Sequence, residues 1–501
     1  MALPRKHHAY LEDPIVGVAT TSGSLADAAG SVPMAPQRQT VILASVTAFM
    51  VGLDVLVIMT ALPTLLQTLR ATASDLAWTV SAYEIGFAAS ILTSSALGDR
   101  FGRRAVFVGG VAIFTAGSAW CALSSASGIG MLIIARAFEG IGGGTSMALG
   151  LAIITVVTPP AKRGTAFGIW GAIMGMAVAC GPLVGGAIIR FLSWQWIFWV
   201  NVPIGVTLIA LSMVTIKETR GDVRRLDLIG LTLATAAILL ILQALIRGGS
   251  VPWSDPTIIA GLVAGISALA AFLHWERRCA HPMMPLAMFR DRRFAGGCAA
   301  SFALGAGLYG NAFIFAQYLQ LAVGADAFGV GLRLLPWVAA GPVIAPLAGV
   351  LSDKLGERPV IAAALALFAA AFFVIGPLVM SGYAYVTLII PLLAAGTGVA
   401  AAFPGTATAV MRSVDPGRFA TASGVSNTIR QAGAAFGVAV AAAMFSTFGG
   451  YGSGPQFFDG FGAAVITLAT ITLLGVIPAL AIPPLRARVT EPVSSVSGAG
   501  G

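Results

Sequence analysis

Charge is scarce in this 501-residue chain. Asp, Glu, Lys and Arg together make up 10% of it and 57% of the residues are hydrophobic, whereas soluble domains carry about 25% charge. A solvated exterior cannot be built from that composition, so a soluble globule is excluded. Cysteine and histidine number four each. Cys121, Cys180, Cys279 and Cys298 lie in or beside apolar runs without Cys-x-x-Cys spacing, which leaves packing as their role and argues against a disulfide framework or a metal site. His7 and His8 fall in a polar tail, and His274 and His281 near a charged linker, where solvation is the expected state. A Walker loop, a nucleophile elbow and a loop long enough for an appended soluble domain are all missing. An enzyme or receptor is therefore disfavoured, and no cofactor is expected. Residues 1–40 lack a continuous apolar segment, so a disordered cytoplasmic tail is expected there rather than a cleaved signal; a second such tail is expected over 484–501.

What the chain has is apolar length. Its mean hydropathy is +0.90, and crossing a hydrocarbon core of about 30 Å takes roughly 20 apolar residues per helix. Fourteen windows qualify: 41–62, 77–97, 105–125, 130–157, 164–189, 197–216, 226–246, 257–274, 294–321, 330–351, 359–380, 385–411, 420–446 and 461–482. An all-α polytopic membrane protein follows. With the N-terminus placed inside, 23 of the 29 Lys and Arg residues fall on the cytoplasmic side. Arg70, Arg190, Arg247 and Arg333 fall outside, and Arg136 and Arg430 fall within spans. The net charge of +9 is thus a positive-inside signature of a multi-pass cell-membrane protein with both termini cytoplasmic, not a nucleic-acid footprint.

One short basic stretch occurs twice. Ser95-Ala-Leu-Gly-Asp-Arg-Phe-Gly-Arg-Arg104 returns as Gly349-Val-Leu-Ser-Asp-Lys-Leu-Gly-Glu-Arg358, so that Leu97, Asp99, Gly102 and Arg104 stand 254 positions before Leu351, Asp353, Gly356 and Arg358. Both copies separate apolar spans, which implies a duplicated membrane bundle. The pattern resembles the signature loop between helices 2 and 3 of the major facilitator superfamily, with Ser95 where that family usually has Gly. The resemblance implies two six-helix bundles that rock about a central cavity. Asp99, Arg100, Gly102, Arg103, Arg104, Asp353 and Arg358 would form a cytoplasmic gate, Asp99 and Asp353 accepting hydrogen bonds across the interface between the bundles. Two spans without counterpart in either repeat give a 6 + 2 + 6 order. Its parts are a bundle over 41–216, two extra helices with their linkers over 217–293, and a bundle over 294–483.

Ionisable residues inside spans carry the functional signal, because an Asp at mid-membrane costs about 2.5–3.5 kcal/mol. Asp54 stands alone in Gly52-Leu-Asp-Val-Leu-Val-Ile-Met-Thr-Ala-Leu-Pro63, Glu84 follows Trp78-Thr-Val-Ser-Ala-Tyr, and Arg136 and Glu139 share Ala135-Arg-Ala-Phe-Glu-Gly-Ile-Gly-Gly-Gly144. Helical rise brings Asp54, Glu84 and Arg136 to a similar depth. Either Arg136 acts on the acids of neighbouring helices or it pairs with Glu139 at i+3. Glu84 either faces a cavity or is satisfied locally, by snorkelling or by Tyr83. Arg430 either faces the cavity or snorkels. The Asp54 stretch and the span-4 motif, with Glu139 where Gln is usual, resemble the fourteen-span drug:proton antiporters of the superfamily. So does Gly181-Pro-Leu-Val-Gly-Gly186, which with Gly175 reads as an antiporter hinge of Gly175, Gly181, Pro182, Gly185 and Gly186. Trp194-Gln-Trp-Ile-Phe-Trp199 reads as an outer aromatic belt.

The function implied is a proton-coupled antiporter exporting amphipathic, often cationic drugs, in which Asp54, Glu84, Arg136 and Glu139 handle protons and substrate. Its partners would be small molecules, protons and membrane lipid, and the unit a monomer. Export of a native secondary metabolite, siderophore or lipid intermediate is the alternative. An uptake symporter is disfavoured by the span-5 glycine run.

Overall fold

A computed structural model describes residues 34–124, 128–159, 163–220, 227–248, 251–280, 282–414, 419–450 and 454–484. His7, His8, His281, Lys162, Arg224, Arg225, Arg418 and the tail from 485 onward lie outside the described residues, as does the first tail up to residue 33.

Among the described residues the structure is helical. The first group is α1 (Met34–Thr68), α2 (Ala73–Phe101), α3 (Arg103–Leu123), α4 (Ile129–Val157), α5 (Arg163–Phe191) and α6 (Trp196–Thr215). A pair follows, α7 (Leu228–Arg247) and α8 (Pro256–Arg278). The last group is α9 (Arg292–Ala322), α10 (Ala327–Leu355), α11 (Glu357–Met380), α12 (Tyr385–Arg412), α13 (Phe419–Phe448) and α14 (Gly454–Leu480). Twelve of these are long and apolar enough to cross a membrane. The other two, α2 and α5, are 29 residues each and pack inside the same bundles.

Helix α1 starts earlier than the composition of the tail suggests. Residues 34–40 are already helical, Pro36 falling in the first turn, where its missing N–H has no intrahelical partner to lose. The basic stretch of the first repeat is likewise not an extended loop. Helix α2 runs through Asp99 and Arg100 to Phe101, Gly102 alone breaks it with φ 109°, and α3 begins at Arg103. In the second repeat Gly356, with φ 88°, does the same between Leu355 and Glu357. A positive φ is the conformation glycine adopts without a Cβ penalty. The duplicated glycine is therefore the shared punctuation, and it defines a loop end of the bundle opposite a far end.

Within the first group α4 packs on α2 and α3, and α1 on α5; within the last group α9 packs on α13, and α11 on α12 and α14. Helices α7 and α8 pack on each other, and α7 lies across both α2 and α13. The two groups meet along two seams, α2 with α13 and α5 with α10.

Candidate functional site

The first site grows from the glycines of α4. Cβ atoms at Gly140 and Gly144 would run into the backbone of Tyr83 and Phe87 on α2, and one at Gly142 into Phe114 on α3. Only hydrogen fits at these positions, so three helices approach closely, and Arg136 and Glu139 are set against both neighbours. Arg136 Nη1 donates to Asp54 Oδ2 at 2.6 Å and to Glu139 Oε2 at 2.7 Å. Its guanidinium stacks 4.2 Å from the ring centre of Tyr83 and 5.8 Å from that of Phe198. Asn201 on α6 donates to Asp54 Oδ1 at 3.1 Å and to Ser118 Oγ at 3.2 Å. The Ser118 hydroxyl donates to Glu139 Oε1, and the Cys121 thiol reaches Glu139 Oε2 at 3.4 Å. Asp54, Arg136, Glu139, Ser118 and Asn201 are all 2% exposed or less.

Two carboxylates thus share one guanidinium, all three buried between helices. Arg136 acts on both acids, so the i+3 pairing and the inter-helix pairing coexist. Asp54 points into protein, not lipid, and both its oxygens are engaged. Asp54 is thus paired with the neighbouring helices α4 and α6 and buried in this conformation. Asn201 and Ser118 complete the cluster.

Glu84 belongs to a different place. It is 1% exposed on the α2–α13 seam, where Gln431 Nε2 donates to its Oε2 at 2.5 Å, and its Oε1 has no hydrogen-bond partner. The partner is neither solvent nor Tyr83, whose own hydroxyl is unpaired. Ser81 and Thr428 bond backbone carbonyls across the same seam, at 3.5 Å to Ala435 and 3.4 Å to Ala88.

The α5–α10 seam is built on the span-5 glycines. Gly181 and Gly185 face Leu56 and Thr60 of α1, Gly186 faces Ala327 and Phe328 of α10, and the Pro182 carbonyl abuts Gly331. Gly175 is helical, but its surroundings lie outside the described residues. At the far end Arg190 on α5 pairs with Asp326 at the start of α10 at 2.7 Å, and Gln320 donates to the Thr60 carbonyl at 2.9 Å. Trp194 is buried edge-on to Phe198, so it packs inside the bundle rather than forming a belt, while Trp196 is exposed.

At the loop end, the bonds that Asp99 and Asp353 make among the described residues lie within their own groups of helices rather than across the interface. Asp99 pairs with Arg103, four residues on, at 2.8 Å. The backbone amides of Arg104 and Ala105 donate to Glu218, just beyond α6, at 2.9 and 3.1 Å, and Arg100 lies over its neighbour Phe101. In the second repeat Glu357 stands where Arg103 stands in the first, so Asp353 would face a like charge. Arg412 of α12 resolves this by pairing with Asp353 at 2.6 Å and Glu357 at 3.0 Å. Arg358 forms no ion pair among the described residues. Among the described residues each loop therefore braces its own group of helices. Glu218, Glu357 and the Arg190–Asp326 link were not legible as site residues in the sequence. The charge reversal between Arg103 and Glu357 in the aligned repeats is the signal that points to an extra cation.

Duplicated helix groups, glycine-lined seams and charges buried between helices define a membrane transporter. The model of the Major Facilitator Superfamily matches residues 44–279 and 297–499, and the chain belongs to that family. It is a multi-pass membrane transporter of small molecules and not an enzyme. It is 31% identical over 415 residues to the multidrug resistance protein Stp of Mycobacterium tuberculosis (strain CDC 1551 / Oshkosh), covering 82% of this chain and 76% of that one. It is 29% identical over 411 residues to the tetracenomycin C resistance and export protein of Streptomyces glaucescens, with 81% and 76% covered. The fold is similar to that of the xylose transporter XylE from E. coli in a partially occluded inward open conformation, with a TM-score of 0.63, 14% identity, and 91% and 99% of the two chains covered.

Proposed function

We propose that this chain is a proton-coupled antiporter that exports amphipathic, often cationic, drugs or toxic organic compounds across the cell membrane. It would do so with fourteen spans in a 6 + 2 + 6 order and both termini cytoplasmic. The names of its relatives support export of drugs and antibiotics. The excess of Lys and Arg at the loop end supports that end as cytoplasmic.

The observation that carries the coupling is one guanidinium held between two membrane-buried carboxylates. A proton delivered to Asp54 cancels its attraction to Arg136. Because Arg136 keeps Glu139, the step leaves no buried cation unpaired, the situation that would cost most. Loosening α1 from α4 is transmitted to α5 and α2, which pack on them and form the two seams. Glu84 feels the change where the halves meet, since Gln431 ties it to α13. The Arg190–Asp326 link at the far end, with the loop-end pairs of the described residues lying within their own groups, supports reading this conformation as inward-facing.

The test is a substrate screen in an efflux-deficient host. The chain is expected to lower accumulation of lipophilic cations and to lose that effect when an uncoupler collapses the proton gradient. Efflux that survives the uncoupler contradicts the proton-coupled reading.

A further inference from the structure

Arg430 is a cation the coupling scheme leaves unused. It lies 11 residues into α13, about 16 Å from the helix start at a rise of about 1.5 Å per residue, too deep for its side chain to reach the loop-end surface. It therefore does not snorkel there. Its Nη2 donates to Asn427 one turn earlier at 2.6 Å, and its guanidinium lies 5.2 Å from the ring centre of Phe403 on α12. Helix α9 approaches closely as well, a Cβ at Gly305 running into the Arg430 carbonyl. Across the seam, Glu84 on α2 is bonded to the next residue, Gln431. Helices α9, α12 and α13 of one half and α2 of the other thus converge on it, which puts it between the halves rather than on the lipid face. The side chain is only partly buried. Among the described residues it forms no ion pair within 4 Å, although the Glu84 carboxylate across the seam lies close enough to feel its charge.

We infer that Arg430 is an anion-recognising subsite of the space between the halves, taking a carboxylate, enolate or phenolate oxygen of an amphipathic substrate. The inference rests on the export reading, because it treats that space as the substrate cavity, and it widens the cargo from cations to anionic and zwitterionic amphiphiles. The chemistry fits the group. A guanidinium offers a planar fork of N–H donors that matches a carboxylate in two parallel hydrogen bonds. The Phe403 ring supplies apolar surface for the rest of such a molecule. Asn427 uses only one of the fork's nitrogens, which leaves donors available.

The test uses the full-length protein in detergent and three probes: an amphipathic aromatic carboxylic acid, its methyl ester and a lipophilic cation. The wild type is expected to bind the acid at least about ten-fold more tightly than the ester, the range of a charge-assisted hydrogen bond. Arg430→Gln is expected to erase that preference without weakening the cation, since the substitution removes a like charge from the site; a single symmetric gel-filtration peak certifies its fold. Arg430→Lys, which keeps the charge without the fork, is expected to fall between. A wild type that binds ester and cation but shows no preference for the acid overturns the subsite alone, as does an Arg430→Gln protein or, if that variant does not fold, an Arg430→Lys protein with the wild-type preference. A wild type that binds none of the three overturns the export reading with it.

Discussion

Asp54, Arg136 and Glu139 are legible in the sequence because ionised side chains inside apolar spans are costly and therefore few. Asn201 and Ser118, which complete their hydrogen bonds, are not. Neutral polar residues in helices commonly satisfy themselves on a carbonyl one turn back, as Thr115 does on Val111, so their presence carries no positional signal. Asn201 also sits inside an aromatic run that draws attention to its tryptophans. The cluster predicts an order of damage. Arg136→Met leaves two buried carboxylates without a cation and should cost about 3–5 kcal/mol. Asn201→Ala strips a donor from Asp54 and should cost about 1–3 kcal/mol. Thermal unfolding of the purified variants in detergent ranks them. An Arg136→Met protein as stable as the wild type would show that the charges are not held as described.

The elements were easier to read than their contacts. The 254-residue repeat locates the duplicated break, and Gly102 and Gly356 both adopt positive φ there. Which side chains those breaks engage was not readable, because the partners Glu218 and Arg412 sit 114 and 59 residues from the positions they bond. Glycine spacing on α3 gives a sharper test. A Cβ at Gly117 would lie 2.7–2.9 Å from the backbone and Cβ of Glu139, whereas one at Gly109 would meet nothing within 4 Å. Gly117→Ala should therefore push α3 from α4 beside the charge cluster and cost about 1–3 kcal/mol. Gly109→Ala on the same helix should be neutral. Equal effects of the two substitutions on unfolding temperature would contradict the packing described.

For the whole molecule, the hydropathy pattern and repeat foretell two related helix groups, but not which ends of them touch. Depth and sequence spacing say nothing about the state in which the two groups rest. Among the described residues the ion pair joining the groups is Arg190–Asp326 at the far end, with the two side chains 49% and 51% exposed. Screening by water limits such a pair to about 1 kcal/mol or less. Asp326→Asn should therefore shift the balance between the two open states by no more than about five-fold, towards opening at the far end. Distances between spin labels placed on α5 and α10 near residues 190 and 326 would show it. An unchanged distance distribution would remove the latch from the account.

If Asp54 exchanges a proton while Glu139 keeps Arg136 neutralised, drug binding must drive proton release through Asp54. Drug-driven proton release from proteoliposomes tests it most directly, with Asp54→Asn compared against wild type at matched protein content. The variant is expected still to bind drug but to release no protons on its addition; undiminished release would exclude Asp54 as the exchanging group.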